Sequence, residues 1–233
     1  MLRTDKELIE LRLTEDWENT KNTTIKRLIE TFSQHPNHFF TEHDIHSVLY
    51  NITREALQQN RVLTAKTSDR YEIALLHHEY PTPFRCSMKG YSFEIKYKKP
   101  YRRGHYDLVI LNPEFVENTE REVVYGKDYQ RFTSALHNVT AEPLIWACEV
   151  IFFPGVKTLP KNALKIIEQD ALKVKETLRY KVGRDVNFCK MGSVLVFTSH
   201  TAEEARELKQ QLAKLSQKHK LEVTLATALP EES

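Results

Sequence analysis

A chain of 233 residues, 28% charged and 40% hydrophobic, is long enough to bury a sizeable core as one ordinary domain with at most a small appendage. Six glycines, nine prolines and 10% aromatic residues exclude collagen-like, low-complexity and disordered character. A balance of 34 Lys and Arg against 32 Asp and Glu, net +2, does not by itself mark a nucleic-acid binder, and no apolar stretch reaches the roughly 20 residues that cross a bilayer. The charged opening MLRTDKELIELRLTEDW contains no apolar core of a signal peptide. Cys86, Cys148 and Cys189 have no CxxC spacing. They fit a reducing, cytoplasmic location better than a disulfide framework or a zinc site.

Residues 5–34 read as a helix with Leu8, Ile9, Leu11, Leu13, Trp17, Ile25, Leu28, Ile29 and Phe32 as its apolar positions, and 1–38 as an N-terminal helical extension. HPNH at 35–38 interrupts the pattern. Thr41 is placed to cap a second helix, about 42–59, with Asp44 completing a capping-box variant. Near residue 70 the period changes, and YEIALLHHEYP is a short strand closed by Pro81 and Pro83. Between Arg85 and Arg103 stand Arg85, Lys89, Lys96, Lys98, Lys99, Arg102 and Arg103 against the single acid Glu94, with Tyr91, Phe93, Tyr97 and Tyr101 interleaved. This is a basic β-hairpin: either a solvated charged edge or a surface that neutralises phosphates and stacks bases.

HYDLVILNP (105–113) is a further strand, followed by a polar excursion over 114–143 with a helix near 127–138. PLIWACEVIFFPG (143–155) has the continuous apolar character of a strand buried on both faces. A helix over 161–181 carries Leu164, Ile167, Ala171, Val174 and Leu178 on one stripe. GSVLVFTSH (192–200), a charged helix (201–219) and LEVTLATAL (221–229) close the chain. Alternation of strand and helix at this end implies parallel pairing through crossovers, and the antiparallel start makes the sheet mixed. The expected class is α/β, a central mixed β-sheet flanked by helices over residues 39–233.

Asp107 in HYDLVIL and Glu149 in WACEVIFF break the apolar logic of their strands. An ionised carboxylate there is costly unless it is paired or binds metal. On neighbouring strands the two would converge on one Mg²⁺ or Mn²⁺, with the carbonyl of Val150 helping. The plainer alternative is a carboxylate at a strand end, satisfied by backbone amides or by His105, Arg103 or Lys157. Strand alternation puts His77 with Glu79, and His78 with Tyr80, on shared faces. Glu79 lines the Asp107 cleft if its strand is adjacent. His105, two residues before Asp107, faces the same side as a phosphate ligand, a base or a hydrogen-bond partner. Signatures of P-loop, dinucleotide-binding, α/β-hydrolase and zincin chemistry are absent.

This order of acids and elements resembles the PD-(D/E)XK, or restriction-endonuclease-like, nucleases over roughly residues 40–200. Glu42 of TEHDIHSVLY matches the family's first-helix acid, Asp107 of YDLVI its strand aspartate, and Glu149 of WACEVI its glutamate. The resemblance implies a restriction-endonuclease-like fold and Mg²⁺- or Mn²⁺-dependent hydrolysis of phosphodiesters, chiefly in DNA. It makes Asp107 and Glu149 the catalytic metal holders, and the basic hairpin (Lys96, Lys98, Lys99, Arg102, Arg103) would grip the nucleic acid. No membrane partner is implied, and a homodimer is an open arrangement.

One position departs from the family. Its lysine, two residues after the glutamate, is Ile151 here, and isoleucine can neither orient water nor stabilise developing charge. Either the amine comes from elsewhere or the chain is a catalytically inactive nuclease-fold protein that binds nucleic acid or serves as a scaffold. At 100° per residue, Lys165 and Lys173 fall roughly 140° from the apolar stripe of their helix and Lys161 about 100°. Lys157 lies in the loop leaving the Glu149 strand. Lys157 and Lys161 are therefore the expected donors. A third reading takes residues 17–59 as a helical DNA-binding module on an unrelated α/β domain.

Overall fold

The computed structural model describes residues 5–87, 94–96, 102–154 and 162–229, with side chains over 17–85, 104–154 and 162–229. The chain begins with α1 (Asp5–Gln34) and α2 (Glu42–Gln59). Thr41 accepts from the Asp44 amide while Asp44 accepts from the Thr41 amide, so the expected capping box starts α2 at Glu42. A small ribbon, β1 (Thr64–Lys66) and β2 (Glu72–Ala74), precedes β3 (Leu76–Ser87), β4 (Glu94–Lys96) and β5 (Arg102–Leu111). The excursion holds three short helices in place of one: α3 (Pro113–Glu117), α4 (Arg121–Val124) and α5 (Tyr129–Ala135). Then come β6 (Leu144–Phe153), α6 (Ala163–Arg179), a minimal hairpin of β7 (Lys181–Val182) and β8 (Val186–Asn187), β9 (Cys189–Thr201), α7 (Arg206–His219) and β10 (Glu222–Ala228). The β7–β8 hairpin ends α6 earlier than the periodicity suggests.

Five long strands and the three-residue edge β4 form one mixed sheet in the order β10-β9-β6-β5-β3-β4. The pairs β6/β9 and β9/β10 are parallel because α6 and α7 carry the crossovers. The pairs β5/β6, β3/β5 and β3/β4 are antiparallel. All ten residues of β6 are buried, as its apolar run requires of a central strand covered on both faces.

One face is covered by α1 and α2, whose Trp17, Leu28, Phe32, Ile45 and Leu49 pack with Leu108, Cys148, Val150 and Phe152. On the other, α6 and α7 pack over Ile151, Phe153, Val194 and Val196, and the three short helices cover Val109 and Leu111. From Trp17 onward α1 thus belongs to the sheet's own core. Lys21 pairs with Glu222 of β10 at 2.9 Å, so the extension lies against the sheet and residues 17–59 are no separate module. Among the described residues, no helix is long and apolar enough to cross a membrane.

The seat of α6 is close. A Cβ on Gly192 of β9 would overlap Val174 Cγ1 and sit 3.3 Å from Leu178 Cδ1. We expect Gly192→Ala to cost about 1–3 kcal/mol by overpacking, read as a lower urea midpoint. An unchanged midpoint would mean that α6 can lift at no cost.

Candidate active site

The site arises where the sheet forks. The β5/β6 ladder ends at Leu108↔Cys148, whereas β6 continues against β9 as far as Phe153↔Thr198. Beyond Cys148 no strand among the described residues lies beside the β5-facing edge of β6, and its buried N–H groups need other acceptors. Carboxylates supply them. Asp107 Oδ2 accepts from the Val150 amide at 2.7 Å, and Glu42 Oε2, from the first turn of α2, accepts from the Phe152 amide at 3.3 Å. Val150 thus contributes its N–H, given to Asp107.

The opposite edge of β5 is irregular at the same rung. The β3/β5 register runs from His78↔Leu108 to Tyr80↔Tyr106 and skips Glu79 and Asp107. Glu79 has φ 52, a left-handed backbone costing roughly 1–2 kcal/mol for a residue with a Cβ. The side chains change face across this rung. Leu76 and Leu108 pack toward α1 and α2, but Tyr80 and Tyr106 pack on the other side. There the Tyr80 hydroxyl donates to the Val124 carbonyl at 2.5 Å, and the Tyr106 hydroxyl meets Thr177 Oγ1 at 2.6 Å. The expectation that His78 and Tyr80 share a face therefore fails, because strict alternation holds only in an unbroken ladder. His78 instead stacks on Tyr50 of α2, ring centroids 4.5 Å apart, and His77 lies near Tyr80. The double break turns Asp107 into the fork.

Glu149 points to the face covered by α6, as does Ile151 two residues on. Lys173 of α6 comes down onto it: Nζ lies 2.6 Å from Glu149 Oε2 and 3.4 Å from Asp170 Oδ1, and it donates to the His105 carbonyl at 3.0 Å. Lys173 is only 7% exposed and Glu149 2%. This corrects the placing of Lys173 on the outer side of α6. The positions buried by α6 are Ala163, Ile167, Ala171, Val174 and Thr177, while Leu164 and Leu178 are half-exposed. The buried stripe is thereby rotated by about 40° from the apolar one. It brings the Asp170–Lys173–Thr177 edge over the fork. Apolar periodicity cannot locate a lysine whose burial is compensated by ions.

Lys165 is exposed on the same helix. Lys157, Lys161, Lys98 and Lys99 lie outside the described residues. Lys96 pairs with Arg85 on the edge strand, and Arg102 and Arg103 pair with Cys86 and Arg85. His105 serves the site through its carbonyl, while its residue is exposed.

Four carboxylates, those of Glu42, Asp107, Glu149 and Asp170, surround one ammonium. Burial is the largest cause raising each of them above the ordinary carboxylate range. Asp107 adds to the rise of Glu42, Glu149 and Asp170, and Lys173 opposes it at all four. Burial works to lower Lys173, but Glu149 and Asp170 outweigh it and hold the amine above its usual value. His46, one turn after Glu42, is buried too. Desolvation first, then His78 and His43, push it down to about 4. Glu149 Oε1 and His46 Nε2 are buried and make no hydrogen bond. Helical phase sets Lys173 aside among the candidate amines, and Asp170 and His46 are not candidates in the sequence at all. Their only linear trace is spacing, Asp170 three residues before Lys173 and Glu42 four before His46, which places each pair on one helix face.

The cluster is oxygen-rich, carries negative charge in excess of the one lysine, and leaves one buried Glu149 carboxylate oxygen unbonded, the ligand type that a hard divalent cation takes. Among the described residues no group of three or more His, Cys, Asp or Glu side chains is placed so that it could hold a metal ion. The chain matches no protein-family model, no curated protein and no solved structure.

Lys173→Met would leave Glu149 buried beside Asp107 and Asp170 without its counter-charge, a loss of about 3–5 kcal/mol. A carboxyl whose folded pKa exceeds its unfolded value costs stability as pH rises from the unfolded value toward the folded one. The penalty should therefore be small at pH 5, large at pH 8, and mostly removed in Glu149→Gln/Lys173→Met. Urea unfolding at both pH values checks this; a pH-independent loss would mean that Lys173 acts by packing alone.

Proposed function

We propose that this chain is a metal-dependent nuclease of the restriction-endonuclease-like fold that hydrolyses phosphodiesters, chiefly in DNA. The observation that supports the reading is Lys173 Nζ at 2.6 Å from Glu149, beside the fork that holds Asp107 and Glu42. The amine missing at Ile151 is supplied from the helix that follows. Asp107 and Glu149, with Glu42, are the residues that would hold the cation. A divalent cation bound there supplies polarisation of a phosphodiester oxygen and a lowered pKa for water.

The protein's own groups do the rest. The Val150 and Phe152 amides fix the Asp107 and Glu42 carboxylates. Lys173, held by Glu149, Asp170 and the His105 carbonyl, keeps a fixed positive charge where an attacked phosphate becomes more anionic. Glu79 and His105 also border a neighbouring cleft of about 520 Å³ with Arg85, Tyr125, Lys127 and Tyr129. The Arg85 guanidinium stacks over the Tyr129 ring at 4.4 Å. Cations and tyrosines side by side suit a polynucleotide backbone and its bases. A second cleft of similar volume, around Phe115 and Arg131, offers less, because Arg131 is paired with Glu120 and Glu122.

Incubation of plasmid and branched DNA with Mn²⁺, with Mg²⁺ and with EDTA tests the reading. Cleavage should need the metal and fall by about 100-fold or more in Asp107→Asn and in Lys173→Met, while Lys165→Met keeps the native rate. Cleavage that survives EDTA or Asp107→Asn would defeat the proposal. Metal binding without cleavage of any substrate would favour the inactive, binding relative.

For the basic hairpin, neutralising Lys96, Arg102 and Arg103 should weaken DNA binding and lower the log–log salt slope by about 0.7–0.9 for each phosphate that is no longer neutralised. An unchanged slope in a fluorescence titration would assign the hairpin to a solvated edge.

A further inference from the structure

The cleft beside the fork combines groups that no single phosphate would satisfy. Glu79 and His105 line it from the strands, and the turn that joins α4 to α5 lines it from the helices. It opens next to the cluster: Glu79 stands at the broken rung beside Asp107, and the His105 carbonyl accepts from Lys173 at 3.0 Å. Tyr125, in the turn, is 37% exposed, although Gly126 after it is buried. Gly126 has φ 61, and a Cβ there would come within 3.0 Å of Pro81 Cγ, so the turn is seated directly on β3. The Tyr125 ring makes a T-shaped contact with His77 at 6.2 Å, and Lys127 Nζ lies 5.9 Å from its centroid. An aromatic ring with a cation beside it is thus held in place at the cleft.

We propose that this cleft takes one unpaired nucleotide next to the scissile phosphate, with Tyr125 as its stacking platform, so that the protein selects single-stranded or branched DNA over plain duplex. The inference rests on the nuclease reading above. A phosphate is drawn to Lys127 and repelled by Glu79. A nucleotide suits both, since its base carries N–H groups that a carboxylate accepts, and its ring stacks on an aromatic face whatever the sequence. In a duplex, pairing occupies the Watson–Crick edge and neighbouring bases cover the ring. Only an unpaired nucleotide offers both, and one already single-stranded does so without the cost of being pulled from a helix. The volume of about 520 Å³ lies in the range that encloses one small molecule and is too small for a double helix.

Fluorescence titration of the full chain in EDTA, where metal-dependent cleavage is silent, tests the inference. The probe is a labelled oligodeoxynucleotide of about 15 residues with one central 5-iodouracil, used as a single strand and annealed to its complement. The native protein should bind the single strand at least about tenfold more tightly than the duplex, and near-ultraviolet irradiation should cross-link the iodouracil to the peptide that contains Tyr125. Tyr125→Ala should lose the preference and the cross-link, whereas Tyr125→Phe, which keeps the ring, should keep the preference. Lys127→Met should lower the single-strand log–log salt slope by about 0.7. Equal affinities in the native protein, no binding of either form, or a preference that survives Tyr125→Ala would overturn the cleft assignment. Should Tyr125→Ala fail to fold, the cross-link in the native protein decides: its absence from that peptide rejects the assignment. Cleavage of plasmid and branched DNA with Mn²⁺ judges the nuclease reading separately. A chain that cleaves but binds both forms equally loses only the cleft, and one that prefers the single strand through Tyr125 but cleaves nothing loses only the chemistry.

Discussion

The open edge of β6 beyond Cys148 is the constraint on which this structure turns. A strand buried on both faces cannot leave its amides to water, and β5 has turned away. The Val150 and Phe152 N–H groups therefore take side-chain acceptors, and the two within reach are the carboxylates of Asp107 and Glu42. Backbone satisfaction thus draws together two acids that lie 65 positions apart in the sequence. The same divergence of strands opens a window through the sheet. Glu42 and His46 enter it from the α2 side, and Asp170 and Lys173 come from the α6 side, where Glu149 already points.

The energetics of this cluster work against stability. A buried Lys–Glu pair is weak evidence for stability, because desolvation consumes much of the Coulombic gain. Here the ammonium is shared between Glu149 and Asp170, and all four carboxyls are pushed upward by burial. Glu79 adds a left-handed backbone at the rung beside Asp107. Local rules broken together at one place are what a functional site produces. The rest of the molecule, with its capped α2, wholly buried β6 and apolar faces on both sides, follows those rules closely and can hold such a strained centre in place.

The two helices have different relations to the site. Glu42 lies in the first turn of α2, where the capping box and the helix dipole favour a carboxylate. Its position is set by local chemistry. Lys173 lies well inside α6, and its position is set by how α6 crosses the sheet over Gly192. The acids are therefore fixed by strand and cap, while the amine depends on the packing of a whole helix.

From the sequence alone came the α/β class, the mixed sheet, the order of its main elements, the cap at Thr41, and Asp107 and Glu149 as carboxylates out of keeping with their strands. These are legible because periodicity, capping and the cost of burying charge are properties of short segments. The fork, the face change at Glu79 and the seats of Lys173, Asp170 and His46 were decided only by the tertiary structure. Helical phase set Lys173 on the outside, since it counts apolar residues and cannot register a lysine buried against two carboxylates. Strict alternation set His78 and Tyr80 together, since it assumes a ladder that here is broken. A long-range ion pair leaves no mark on its own neighbourhood in the chain, so only the crossing of α6 over the fork could bring the amine to Glu149.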